Sequence, residues 1–212
     1  MSSGPEINRR KRLVIAQNHN ALKNPKKRSA LLERAAANGN DTVIFPFNSP
    51  KNIFREIQAR GLIPETGGRN MSLLVPRKYF FLHRDLFRME GGRRKMKTHF
   101  CTTSPDTIAI IRTQAEKIFR SAAGIKTFHL WPDRDEIWCS CPTCRAFSGT
   151  DQYRMALNTA ADVLQQVNPD AVISYYDNDT GDNDDSRGSD DSEIKLRPNV
   201  FKIKPDEIVL YD

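Results

Sequence analysis

The amino-acid sequence predicts an α/β fold in which parallel strands alternate with helices. Strand-length apolar runs alternate with amphipathic, helix-length segments along most of the chain, which is the order of an α/β architecture. The apolar runs are nearly continuous in hydrophobicity rather than alternating, as parallel strands covered on both faces require. Length then bounds the architecture. The chain has 212 residues, of which two interruptions take about 55. A closed eight-stranded barrel uses ~250 residues, with about 200 as the minimum. Five or six strands and four or five helices are countable, so the chain is either an open α/β sheet or part of a barrel.

The first strand is expected at 13–16. Asn24-Pro25 then starts a helix through Ala30, Leu31, Leu32 and Ala35 that stops near Asn38-Gly39. The capping side chain accepts an orphan amide hydrogen bond, and proline has no amide to leave unsatisfied. A strand follows at 42–47. Ser49-Pro50 starts a helix with Ile53, Phe54 and Ile57 that stops at Gly61, and a short strand follows at 62–64. Ser104-Pro105 starts the third helix, through Ile108, Ile111, Ala115, Ile118 and Phe119 to Gly124, before a strand at 127–131. The fourth helix starts near Thr150 or Asp151. Its stripe is Leu157, Ala160, Ala161, Leu164 and Val167, and Asn168-Pro169 ends it. Strands are expected at 171–176 and 199–203. The interruptions are 66–103 and 177–193. Within the first, 71–75 reads as a strand extension and 79–89 as a short helix. The second has no apolar residue, which predicts disorder.

Hydrophobic residues make up 38% and charged residues 28%, which excludes a collagen, a fibrous repeat and a wholly disordered chain. No apolar run approaches the ~18 residues of a spanning helix, so no membrane partner is expected. The N-terminus is polar, with Arg9-Arg10-Lys11-Arg12, and lacks the apolar core of a secretory signal. A cytoplasmic location is the corresponding expectation. The net charge is +7, but residues 177–193 carry eight acids and one base, which leaves +14 on the rest. A basic body suggests nucleic acid or another polyanion. The basic runs 9–12, 26–28 and 93–97 have no interleaved aromatics of the kind a single-strand platform needs, so nucleic acid is the lesser reading.

Four cysteines stand at 101, 139, 141 and 144, three of them within six residues. Thiolates this close can reach one tetrahedral ion, and zinc is the usual occupant. Cys101, Cys139, Cys141 and Cys144 are the candidate ligands of one structural zinc, with His99 or His129 as substitutes. Free thiols and a redox Cys-x-x-Cys pair are the alternatives. The acidic segment does not fit a calcium loop. Counted from Asp177, Gly181 falls at a ligand position and Gly188 where the bidentate glutamate belongs. No Walker loop or dinucleotide glycine motif occurs.

Polar groups cluster where strands are expected to end. His129-Leu130-Trp131-Pro132-Asp133 is one such end, with Asp135 and Glu136 close behind. Glu65 to Asn70 is another, Tyr176-Asp177 a third, and Gln17 to Asn20 a fourth. Functional groups of parallel α/β folds gather at strand carboxyl ends, and a carboxylate pair beside an aromatic suits sugar chemistry. Plain turn chemistry is the competing explanation of each. His83 and His99 lie in the long connection within reach of such a cleft.

Five stretches carry a family resemblance: 68–77 beginning Gly68-Arg69-Asn70, 80–89 with Phe81-Leu82-His83-Arg84, and 100–105 with Cys101; then 128–145, from Phe128 through Trp131 and Asp133 to the cysteine motif, and 196–201. Together they resemble the bacterial domain-of-unknown-function family numbered 4838, which is similar to glycoside hydrolase barrels near the hexosaminidase and α-glucuronidase groups. The resemblance covers roughly 12–176 and 194–203. It implies a (β/α) TIM-barrel-like fold, incomplete at five to six strands because the chain ends near Asp212. The organisation is then a basic tail at 1–11, a barrel part at 12–176, an acidic loop at 177–193, and a further strand with the C-terminus at 194–212. It also implies, by analogy with hexosaminidase-like barrels, that Asp133 or Asp135 after the fourth strand is the key acid.

The resulting expectation is a carbohydrate-active domain acting on or binding a poly- or oligosaccharide, as a glycoside hydrolase of O-glycosyl bonds. Asp133 serves as acid or substrate anchor, and Glu65 or Asp177 as partner carboxylate. Trp131 and Tyr176 form the sugar platform, Arg69 and Asn70 bind hydroxyls or an acidic sugar, and His83 lies at the rim. The alternatives are an inactive, truncated member that binds glycan or pairs with a missing barrel half or a second copy, and a zinc-containing nucleic-acid-binding protein.

Overall fold

Local cap chemistry fixes two helices where the sequence places them. Asn24 is the N-cap of the first long helix, and its side chain accepts from the amides of Lys26 and Lys27 at 3.0 and 3.2 Å. Ser104 caps another, accepting from the Thr107 amide. A computed structural model describes residues 10–15, 20–97, 99–133, 137–176 and 194–211. In chain order the elements are β1 (Arg12–Ile15), α1 (Asn20–Lys23), α2 (Pro25–Ala37), β2 (Thr42–Phe45), α3 (Ile53–Gln58) and β3 (Ile63–Arg69). Next come β4 (Met89–Glu90), β5 (Arg93–Arg94), α4 (Pro105–Ser121), β6 (Thr127–Trp131) and α5 (Gly149–Val167). β7 (Val172–Tyr175), β8 (Val200–Lys202) and β9 (Ile208–Tyr211) complete the order.

These elements form two units, Met1–Gly68 with Ile203–Asp212, and Arg69–Lys202. In the first, β9, β1, β2 and β3 are neighbours in parallel register: Leu13 lies opposite Val209 and Val43, and Ile44 opposite Glu65. Every residue of β1 and β2 is buried, and after Arg12 and Thr42 at their starts the residues are all apolar. Leu31, Leu32 and Ala35 of α2 and Ile53 and Ile57 of α3 are buried too. Each such leucine or isoleucine contributes about 1.5–3 kcal/mol. Arg28 of α2 makes a bidentate pair with Glu56 of α3 at 2.6 and 2.7 Å. The hydrogen bonds from Arg28 hold the Glu56 carboxyl below its ordinary value.

In the second unit, β6, β7 and β8 are parallel, with Phe128 opposite Ile173 and Ile173 opposite Val200. Ile111, Ala115 and Phe119 of α4 are buried, as are Leu157, Ala160, Ala161 and Leu164 of α5. Phe119 meets Phe128 edge-on at 4.8 Å. Four and three parallel strands make seven in the described residues, one fewer than a closed eightfold barrel uses.

Several boundaries differ from the sequence expectation. The short strand expected at 62–64 runs on to Arg69. It passes through Gly67 and Gly68 at φ of 125° and 113°, backbone that a residue with a Cβ rarely adopts. Residues 71–75 do not extend a strand: Met71–Leu74 is a 3-10 turn. The helix expected at 79–89 is instead two 3-10 turns, Arg77–Phe81 and Arg84–Leu86, leading into an antiparallel β4–β5 hairpin. Ser49-Pro50 makes a turn, and α3 begins at Ile53 after Asn52. The start of α5 lies earlier, at a Ser148 capping box with Asp151. β9 was not expected, and β1 is its parallel partner. The acidic segment 177–193 lies outside the described residues, as do Gln17, Asn18, His19, Asp135 and Glu136.

Candidate functional site

Two arrangements in the second unit carry chemistry. One is the cysteine cluster. Cys101 precedes α4, while Cys139, Cys141 and Cys144 lie on the connection from β6 to α5, and all four are buried and unbridged. Cys101 Sγ lies 3.8 Å from Cys141 Sγ and 3.7 Å from Cys144 Sγ. These separations are far beyond a disulfide bond of about 2.05 Å. They match the edge of a tetrahedron with metal–sulfur bonds of about 2.3 Å, which is about 3.8 Å. All four sulfurs lie within 4.8 Å of one another. The cluster can therefore hold a metal ion.

The surroundings suit thiolates. The amide of Cys144 donates to Cys141 Sγ at 3.5 Å, and that of Met89 donates to Cys139 Sγ at 3.3 Å. The Arg94 guanidinium donates to Cys139 Sγ at 3.7 Å, and Thr103 Oγ1 lies 3.1 Å from Cys144 Sγ. Without a cation the thiols compete for charge. The hydrogen bond with Cys139 pulls the Cys101 thiol down, and the same bond pushes Cys139 up. Gln152 on α5 fixes the loop, accepting from the Cys139 amide at 3.1 Å and donating to the Cys139 carbonyl at 3.1 Å. The candidate ligands His99 and His129 are not in this four-sulfur group; His99 stacks on Trp138 at 4.2 Å instead.

The other arrangement is at strand carboxyl ends. Arg69 is the last residue of β3, Trp131 the last of β6, and Tyr176 follows β7. The Asn70 amide donates to the Trp131 carbonyl at 3.3 Å, which joins two of these ends. Asp133 accepts from the Ser72 amide at 2.9 Å and from Ser72 Oγ at 3.2 Å. Burial pushes the Asp133 carboxyl above its ordinary value, against the Ser72 hydrogen bonds and the charge of Arg77. Asn70 is 3% exposed, and its Oδ1 has no hydrogen-bond partner among the described residues. Trp131 and Tyr176 rings lie 5.7 Å apart, and the Arg69 guanidinium carbon is 5.2 Å from the Tyr176 centroid. Tyr153 on α5 ties the ends together. Its hydroxyl donates to the Leu130 carbonyl at 2.8 Å and accepts from the Tyr176 amide at 3.3 Å.

The structure thus groups Arg69, Asn70, Trp131, Asp133 and Tyr176. Trp131 within this group, and the expected residues outside it, stand differently from the sequence expectation. Trp131 is only 3% exposed, and its indole N–H donates to Ser174 Oγ at 3.0 Å, so it underlies Tyr176 and is not an open sugar platform. Glu65 belongs to the first unit and sits within β3, not after it. It is 1% exposed, with Arg12 at 3.0 Å and Arg10 at 3.3 Å on its two oxygens. Arg12 also donates to Glu207 at 2.9 Å. His83 is exposed between two 3-10 turns. Asp177 lies outside the described residues. Ser72, Thr103, Arg94 and Gln152 were not expected, and no local pattern marks them, because each acts on a residue far away in sequence or through the backbone.

No family model matches this chain, and a search of curated proteins finds no match. Solved structures do resemble it. The GH20 catalytic modules of the pneumococcal exo-β-D-N-acetylglucosaminidase align at a TM-score of 0.62 and 8% identity, covering 91% of this chain and 59% of theirs. A GH20 exo-β-N-acetylglucosaminidase from Vibrio harveyi, in complex with N-acetylglucosamine, aligns at 0.54 and 10% identity, covering 80% of this chain and 35% of its own. A GH36 α-galactosidase from Geobacillus stearothermophilus aligns at 0.53 and 12% identity, covering 79% and 28%. These likenesses show the fold: a TIM-barrel-like (β/α) fold of the kind found in glycoside hydrolases. The chain spans less than two thirds of the length of each of these three.

Proposed function

We propose that this chain is a carbohydrate-active domain of the glycoside hydrolase lineage, akin to the domain family numbered 4838, with one structural zinc. The observation that carries the carbohydrate reading is the grouping of Arg69, Asn70, Asp133 and Tyr176 at strand carboxyl ends, in a fold shared with glycoside hydrolases. Asp133 is the carboxyl suited to act as acid or as substrate anchor, because burial favours its protonated form. Asn70 offers a buried carbonyl oxygen, without a partner among the described residues, to a sugar hydroxyl. The four sulfurs at tetrahedral spacing support zinc, which would clamp the β6–α5 connection to the start of α4.

A second reading, glycan binding without turnover, is favoured by Glu65. Its two oxygens are engaged by Arg12 and Arg10, so it is spoken for as a framework ion pair. Hydrolysis assays separate the two readings. With chromogenic N-acetylglucosaminides and galactosides, turnover that falls about 100-fold or more in Asp133→Asn supports the enzyme. Binding without turnover supports the second reading. A folded, metal-loaded protein that neither binds nor cleaves any glycan of a broad panel overturns both.

A further inference from the structure

The stretch 77–84 reads Arg-Lys-Tyr-Phe-Phe-Leu-His-Arg. It lies in the connection from β3 to α4, and strand-to-helix connections form the binding face of parallel α/β folds. Phe80 anchors it, edge-on to Phe87 at 5.2 Å. Phe81 and Leu82 beside it are 76% and 83% exposed. Arg77, Lys78 and Arg84 are exposed, against Asp85 as the one exposed acid between 77 and 85. Lys78 Nζ lies 5.4 Å from the Tyr79 ring, and the Arg84 guanidinium 5.6 Å from the Phe80 ring. Two of these exposed cations, Lys78 and Arg84, thus lie over rings.

Arg77 opens this loop three residues after the Met71–Leu74 turn, whose Ser72 holds Asp133, so the loop leads on from the strand-end site. Trp131 is buried and Tyr176 carries the Arg69 guanidinium at 5.2 Å, so neither ring is a bare stacking face.

We infer that the glycan taken at the strand-end site is anionic, a polysaccharide bearing carboxylate or sulfate groups, bound by Arg69 and Arg77 and continued along residues 77–84. This rests on the carbohydrate reading above and names its ligand class. Guanidinium groups suit both carboxylate and sulfate oxygens. Phe81 contributes an exposed ring against the apolar face of a sugar.

The test uses the full chain in its metal-loaded form. Binding is measured with oligogalacturonate as the carboxylate probe, dextran sulfate as the sulfate probe, and neutral chito- and galacto-oligosaccharides. Vesicles of phosphatidylcholine with and without phosphatidylserine are a further arm, because an exposed Phe-Leu pair among cations also suits a bilayer surface. The expected result is binding of an anionic glycan that weakens about tenfold or more from roughly 50 to 300 mM salt. Arg77→Gln and Arg69→Gln should each weaken it about tenfold, with Phe81→Ala weakening it less. The stronger of the two anionic probes identifies the group recognised. Neutral glycans binding as well as anionic ones would overturn the inference and leave the carbohydrate reading standing. Vesicle binding with no glycan binding would overturn both. Anionic binding unchanged in Arg69→Gln and Arg77→Gln would overturn the assignment of the site.

Discussion

The sulfurs of Cys101 and Cys144 lie 3.7 Å apart although 43 positions separate them in sequence. Nothing covalent holds them there. Four buried thiols at this spacing make a site that can hold a cation, with one sulfur placed before α4 and three after β6. The centre is expected to be part of the folding energy of the second unit. Cys144→Ser should lower the metal content below one per chain and destabilise by about 4 kcal/mol or more. Elemental analysis with thermal unfolding, with and without chelator, checks this. Equal melting of the chelated and untreated proteins would speak against it.

Asp133 should give the protein a distinctive pH dependence. Its carboxyl is held above the ordinary aspartate value by burial. Such a group binds its proton more tightly folded than unfolded. Its contribution to stability is full below the ordinary aspartate range and is lost as pH rises through the folded value. Asp133→Asn cannot titrate. Denaturant unfolding at mildly acid and neutral pH should therefore show the native chain losing stability relative to Asp133→Asn as pH rises. A gap that widens in favour of the native chain would contradict this.

Arg12 and Glu65 form a buried ion pair in the first unit, extended by Glu207 and Arg10. Removing one partner leaves a desolvated charge. Glu65→Gln should cost about 3 kcal/mol, and Arg12→Leu with Glu65→Leu should recover part of that loss. Urea midpoints of the single and double variants measure it. Additive losses would show that the pair is not coupled.

Gly149 opens α5, where alanine would ordinarily help a helix. Here an added Cβ would lie 2.9 Å from Cδ1 of Trp138, whose ring is stacked on His99. Gly149→Ala should lose about 1 kcal/mol net, because overlap of about 1–3 kcal/mol exceeds the gain in propensity. The tryptophan emission should shift with it. A stabilised variant with unchanged emission would show that the ring gives way freely.

What was legible in the sequence was local. Asn24 and Ser104 announce helix starts because a cap bonds amides two or three residues on. The cysteine motif is legible for the same reason, with three ligand candidates inside six residues. The Ser148–Asp151 capping box was also local, but Gly149 within it reads as a breaker. The course of β3 was hidden, because a Gly67-Gly68 pair signals a turn and here carries positive φ inside a strand. Glu65 was misplaced for that reason, and its partner Arg12 is 53 residues away. Ser72 could not be foreseen as the partner of Asp133, since the two meet only when a loop 61 residues distant folds back. Burial of Trp131 is equally non-local, because an aromatic at a strand end looks the same in sequence whether it is covered or open.

Nuclear magnetic resonance titration of the metal-loaded chain with the glycan panel tests the carbohydrate site most directly. Saturable shifts concentrated at the amides of Asn70, Ser72, Asp133 and Tyr176, and lost in Asp133→Asn, are the predicted result. Shifts confined to other surfaces, or none with any glycan while the spectrum stays that of a folded protein, would contradict it.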